Sequence, residues 1–466
     1  MRTGTRTTLF RIAALALVLF ALTGSFAYGY LVAERRLPPY PSMRRIYNEF
    51  QGMPAVRNAY YWVRDRILGA DHRRGRWHVG RQLASDQPLT RHQQEMMTQL
   101  AALGYVSGSM PATRSVNVTV FQPELAFEGL NLYNSGHAPE AVLIDMTGRV
   151  LHRWSYVFRD AFPDSAARAG IENLEHWRRV HLYENGDLLA IYEGFGLIKL
   201  DRDSNLIWAN DLAFHHDVFV DDEGLIYGLT HELMVLPRIH EYEPLKLDSI
   251  TILTDDGRLV RQVPLLEAFE RSPYASFLGT MPEFGDVFHT NTIEVLDGTQ
   301  AHRSPAFAKG NILISVRHMS VIAIVDTEAE QVVWALAGQW KGQHQPTFLE
   351  QGNILLFDNH GHGGRTKVIE FDPFTQAIVW SYDGSPQTPL YSHTCGSNQR
   401  LPNGNTLITE SNQGRALEVT PDRRVAWEYF TPHRAGENGE LVATLFEVVR
   451  LPPAYVAAWL EVPEER

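Results

Sequence analysis

One local pattern recurs six times between Ile144 and Trp427: an Asp-containing turn followed by a β-rich run that in five cases ends in tryptophan. It reads IDMTGRVLHRW (144–154), LDRDSNLIW (200–208), LTDDGRLVRQV (253–263, without the Trp), VDTEAEQVVW (325–334), FDPFTQAIVW (371–380) and VTPDRRVAW (419–427). A second half-pattern, an apolar run after a Gly-containing turn, gives NGDLLAIY (185–192), GNILISV (310–316), GNILLFD (352–358) and GNTLITE (404–410). Units this short bury an apolar face only against copies of themselves. The β-branched alternation excludes helical arrays. The last two Trp-to-Trp intervals, 46 and 47 residues, suit four-stranded blades, and the longer earlier intervals predict loop insertions. The expected fold is therefore all-β, a six-bladed β-propeller over residues 116–452 followed by a C-terminal tail at 453–466. Either residues 116–122 or residues 441–451 are expected to close the ring. The tryptophans are expected to fill the wedges between blades, where burial contributes about 2–3 kcal/mol each.

The chain ahead of the repeats is different. Arg2, Arg6 and Arg11 precede an uncharged stretch from Ile12 to Ala33, long enough to cross a bilayer. Positive charge before it favours an orientation that sends the body outward. Glu34-Arg35-Arg36 follows the stretch directly, which fits an uncleaved transmembrane helix better than a cleavable signal, the alternative that Ala27 and Gly29 leave open. Residues 1–36 are thus expected to be an inner-membrane anchor with the body on the periplasmic side, and residues 37–115 a short helical connector. Residues 1–115 carry 16 Arg against 6 acidic residues, and the remainder 26 basic against 48 acidic. So acidic a body repels a polyphosphate backbone, which argues against nucleic acid as a partner. Cys395 is the single cysteine, so no intrachain disulfide supports the fold.

The repeats carry histidines in phase. His176, His216, His289, His344 and His393 each stand ahead of an apolar strand, and His216 and His344 lie at the same offset from their turn glycines. Equivalent positions of successive blades face a common axis, so these five are expected to ring one channel mouth. His231, His302 and His318 fall outside this phase and read as surface or loop residues. Arg317, in SVRHMS, ends a strand that enters the channel, where a guanidinium grips an oxyanion bidentately. The segment DNHGHGGR (358–365), with Asn359 and His360, reads as a loop over the mouth or a long hairpin. Several imidazoles and an arginine without a carboxylate pair fit an anionic substrate better than glycoside hydrolysis. A metal ranks second, and neither a GxSxG elbow nor a phosphate-binding GxxxxGK[ST] loop is present. No cofactor is expected.

At GLNLYNS, HHDVFV, DVFHTNTIEV, ILISVRHMSVIAIVD and QHQPTFLEQGNILLFDN, between about Gly129 and Pro432, the chain resembles bacterial arylsulfotransferases that use no nucleotide sulfate donor. The resemblance implies an extracytoplasmic six-bladed propeller that moves a sulfuryl group from an aryl sulfate donor to a phenolic acceptor. It places the nucleophile at His344 and the remaining catalytic roles at His216, His289 and Arg317, with His216 preferred over its neighbour His215. His393, Asn359, Trp340 and Tyr391 are candidate substrate contacts, with blade packing as the competing role for the aromatics. A non-catalytic binding propeller, and a metal-dependent or sulfatase-like hydrolase on the same histidines, are the alternatives.

Overall fold

The computed structural model describes residues 115–165, 174–361, 365–386, 388–435 and 441–461, with Gly439 and the two-residue strand Met110–Pro111. Six antiparallel sheets form a six-bladed propeller. Blade 1 runs from the inner strand Leu445–Leu451 through Leu130–Ser135 and Glu140–Ile144 to the outer strand Val150–Ser155. Blades 2 to 6 follow in chain order, with inner strands Val180–Leu182, Phe214–Val220, Thr290–Val295, His344–Phe348 and Ser397–Arg400.

The half-patterns map onto fixed strands. The apolar runs are second strands (Leu188–Tyr192, Ile312–Val316, Ile354–Asp358, Thr406–Glu410), and every residue in them is buried because a blade lies on each side. Outer strands have one free face, and Leu206–Asn210 alternates between half-buried and exposed. The recurring Asp is a turn device: one carboxylate oxygen accepts two backbone N–H groups, from Thr147 and Arg149 at Asp145 and from Asp203 and Asn205 at Asp201. Four of the five outer-strand tryptophans bond forward to the next blade: Trp154 to Gly186 O, Trp208 to Asp255 O, Trp380 to Pro421 O, and Trp427 across the seam to Met146 O.

Both candidate segments close the ring. Leu445–Leu451 supplies the inner strand of blade 1, and Asn117–Phe121 adds a fifth, outermost strand to blade 6. The insertions fall after blade 1, with the helix Phe158–Ala161, and after blade 3, with the helix Leu265–Glu270 and the 3-10 turn Ala275–Thr280. Residues 453–461, the described part of the expected tail, pack on blades 1 and 2, where Trp459 meets Trp154 edge-on and Tyr455 donates to Leu182 O. The expected anchor lies outside the described residues, as does the connector apart from Met110–Pro111 and Ser115. Among the described residues no helix is long and apolar enough to cross a membrane.

Candidate active site

The histidine phase follows from the inner strands, which all begin at one mouth of the channel. His344 is the first residue of its strand, His289 directly precedes Thr290–Val295, and His216 lies inside Phe214–Val220. These three strands each carry a register shift near their start, and His216, His289 and Gln345 adopt positive φ of 56°, 50° and 45°. Such conformations cost about 1–3 kcal/mol each in side-chain-bearing residues, and here they re-aim side chains at the axis.

His344 is buried, and its Nδ1 lies 2.7 Å from Asn359 Oδ1. The Asn359 amide has only one orientation, because its Nδ2 donates to Ser392 O at 2.8 Å and Cys395 O at 2.6 Å. Its oxygen therefore faces His344 as an acceptor, so His344 Nδ1 carries the proton and Nε2 keeps its lone pair. Burial, then the charge of Arg317, holds His344 well below the usual imidazole range, so it is neutral at pH 7. The backbone is braced from blade 4, where Asn291 Nδ2 donates to Gln343 O at 2.8 Å and Gln345 N donates to Thr292 Oγ1 at 2.9 Å.

The other imidazoles gather beside it. His216 and His289 have ring centroids 4.8 Å apart, and His289 and His318 4.5 Å apart. His289 Nδ1 lies 2.7 Å from Asp286 Oδ2, an acid–imidazole pair that leaves Nε2 as the acceptor, and burial pushes His289 down to about 3. His216 is also held well below its usual range, by burial first and then by His289. His215 points away: it is fully buried, with its Nδ1 2.8 Å from His216 Nδ1 and its Nε2 3.5 Å from Asp248. Arg317 lies close enough to lower His289, His344 and His360 electrostatically.

Of the candidate substrate contacts, His393 is exposed with its ring 4.5 Å from His360, and Tyr391 is exposed at the surface. Asn359 spends its side chain on His344 and the two carbonyls. Trp340 is buried against Phe371 and donates to Ser320 O, so its ring belongs to the core between blades. His176, the remaining member of the ring, stacks on Phe446.

Sequence reasoning missed four residues. His318, read as a surface or loop residue, sits against His289 and is 2.6 Å from Asp286 O. Asp286 and Glu193 partner His289 and His216 from outside the inner strands. Arg178 is buried, 3.5 Å from Glu193, and its charge reaches both His216 and His344. The Arg178-Arg179 pair ahead of a buried strand was the available signal. Two trios, Glu193/His215/His216 and Asp286/His289/His318, hold ligand atoms within 4.8 Å, so either could accept a metal ion.

The next residues along the inner strands close the channel. Arg179 meets Asp217 at 2.9 Å, Glu447, and Gln345 at 2.9 Å. Asp217 also accepts from Ile293 N at 3.1 Å, and Asn398 donates to Gln345 O at 3.0 Å. All six blades contribute to this polar floor, which follows directly along the chain from Arg178, His216 and His344. Neutral imidazoles beside Arg178 and Arg317 suit an anionic group that an imidazole nitrogen can attack.

Solved structures similar to the chain include a protein of unknown function from Bacteroides caccae, at 12% identity and TM-score 0.42, covering 69% of this chain and 99% of that one. A streptogramin B lyase is similar at 12% identity and TM-score 0.39, covering 73% and 94%. Virginiamycin B lyase from Staphylococcus aureus is similar at 10% identity and TM-score 0.38, covering 73% and 98%. No curated protein matches the chain. The arylsulfotransferase (ASST) family model matches residues 178–432, from Arg178 through every histidine of the pocket to just beyond the last outer strand. With more than half of its length so matched, the chain belongs to the arylsulfotransferase family.

Proposed function

We propose that the chain transfers a sulfuryl group from an aryl sulfate to a phenol in two steps through His344. The observation that carries this reading is the fixed tautomer: Asn359 holds the Nδ1 proton, so a neutral Nε2 lone pair stands beside Arg317. In the first step Nε2 attacks sulfur, the S–O bond to the aryl group breaks, and the phenolate leaves with the electron pair. In the second, His289 Nε2 accepts a hydrogen bond from the incoming phenol, whose oxygen attacks sulfur as its proton passes to solvent, and the N–S bond returns its electrons to His344. That proton balances the one taken up by the departed phenolate. Arg317, Arg178 and His216 hold the sulfuryl oxygens as charge shifts, and preorganised donors of this kind contribute about 3–4 kcal/mol each. Splitting the transfer avoids bringing two phenols and one sulfuryl group together at once. The reading includes a membrane-tethered protein facing the periplasm, on the strength of the apolar stretch Ile12–Ala33.

Turnover tests it. Purified chain given 4-nitrophenyl sulfate is expected to release nitrophenol in a phenol-dependent way, with phenyl sulfate appearing. Release that ignores phenol would point to a hydrolase, and no release over a broad donor panel to a binding propeller.

A further inference from the structure

A second cluster lies outside the channel, at the seam where the last blade meets the first. His137 and Glu140 belong to the blade 1 hairpin between Leu130–Ser135 and Glu140–Ile144, and His433 follows the blade 6 outer strand Val425–Phe430. His137 Nε2 is 2.8 Å from Glu140 Oε1, and one ligand atom from each of the three residues lies within 4.8 Å of the other two. The two imidazoles stack face to face, 3.3 Å between centroids and 7° between planes. Aromatic pairs that pack for their own sake prefer offset or edge-on arrangements at roughly 4.5–7 Å. Neighbouring groups hold the trio in place: Ser135 Oγ is 2.5 Å from His137 Nδ1, Tyr133 Oη is 3.2 Å from His433 Nε2, and Arg153 bonds Glu140 Oε1 at 2.6 Å.

The His137 and Glu140 side chains keep 18% and 17% of their exposure, enough for a hydrated ion to reach them.

We propose that His137, Glu140 and His433 form a zinc-class divalent metal site that clamps blade 6 to blade 1. Two imidazoles and a carboxylate, with a solvent-filled fourth position, are a donor set zinc accepts in tetrahedral geometry at about 2.0–2.2 Å. Side-chain rotations that unstack the rings would bring the three ligands to that distance, with Glu140 Oε1 kept by Arg153 and Oε2 turned to the ion. The placement gives the ion a role. Tyr133 and His433 are 300 positions apart in sequence, and a link across so long a loop offsets its closure entropy. With Cys395 the single cysteine, no disulfide can make that link. The site is independent of the His344 chemistry.

The test is calorimetric titration of the metal-stripped full chain in detergent with zinc chloride, beside His433→Asn, His137→Gln and the channel variant His318→Asn. The native chain and His318→Asn are expected to bind one zinc that His433→Asn and His137→Gln lose at least tenfold in affinity. Zinc at saturating concentration should raise the unfolding midpoint of the native chain by about 2 °C or more and leave that of His433→Asn unchanged. Aryl sulfate turnover should be the same in His433→Asn as in the native chain. Failure of the native chain to bind zinc, or undiminished binding by both seam variants, would overturn the proposal.

Discussion

A histidine can act as a nucleophile only if its lone pair, not its proton, faces the substrate, and at the proposed nucleophile His344 the tautomer is set by an amide. Asn359 is locked by two carbonyls and offers His344 an acceptor alone. Replacing it with leucine should lower kcat by about 10–100-fold, the range found where an imidazole loses the partner that fixes its tautomer, while the KM for donor changes little. Asn359→Asp makes a sharper test. A carboxylate there raises the His344 pKa, so the acid limb of the pH–rate profile should move to higher pH, because the protonated ring has no lone pair. An unmoved limb would contradict the tautomer argument. The positions of His216, His289 and His344 were legible in the sequence because inner strands repeat in phase. The role of Asn359 was not, since it depends on carbonyls at Ser392 and Cys395, from the next blade. His318 was missed for a related reason: it lies on a hairpin of blade 4, outside the phase, and reaches His289 by folding over Asp286.

At the scale of strands, position in the blade decides what each residue does. The second strands that carry the apolar runs are buried throughout because neighbouring blades cover both faces, and the outer strand Leu206–Asn210 alternates because one face meets water. Four of the tryptophans tie their blade to the next by a hydrogen bond, and Trp427 does so across the seam. Trp427→Ala should destabilise the fold by about 3–5 kcal/mol through the cavity it leaves, measured by urea unfolding. A loss below about 1 kcal/mol would mean the seam does not depend on it. The six repeats were legible because each blade carries a related turn, capped by an Asp carboxylate in four blades and by Thr254 or Thr420 in the other two. Ring closure was not, because strand pairing between the two ends of the chain leaves no local signature. It uses both candidate segments, in different blades.

The whole ring converges on one buried polar floor. Arg179→Met would leave Asp217 and Glu447 without their counter-ion, at a cost of about 3–5 kcal/mol, and the expected result is a lower unfolding midpoint with the secondary structure retained. Acid acts on the buried titratable groups in two directions. Burial pushes His181, His289 and His433 down to about 4, 3 and 4, and holds His216 and His344 well below their usual range. Unfolded imidazoles take up protons near pH 6.5 and the folded ones do not, so the stability present above that pH is lost as pH falls. Buried carboxyls work in the opposite direction: burial raises Asp217 and Glu294 to about 6 and about 8, and raises Glu232, Asp248, Asp358 and Glu410 as well. The proposed function rests on one nitrogen, Nε2 of His344, and the most direct test looks for what that nitrogen carries. Native chain mixed with 4-nitrophenyl sulfate and no acceptor, quenched in base and digested, should yield a sulfuryl adduct on the peptide containing His344. Added phenol should discharge the adduct, and His344→Ala should show none and lose at least about 1,000-fold in transfer rate. Rapid phenol-dependent transfer with no adduct at His344, or with transfer surviving in the alanine variant, would contradict the account.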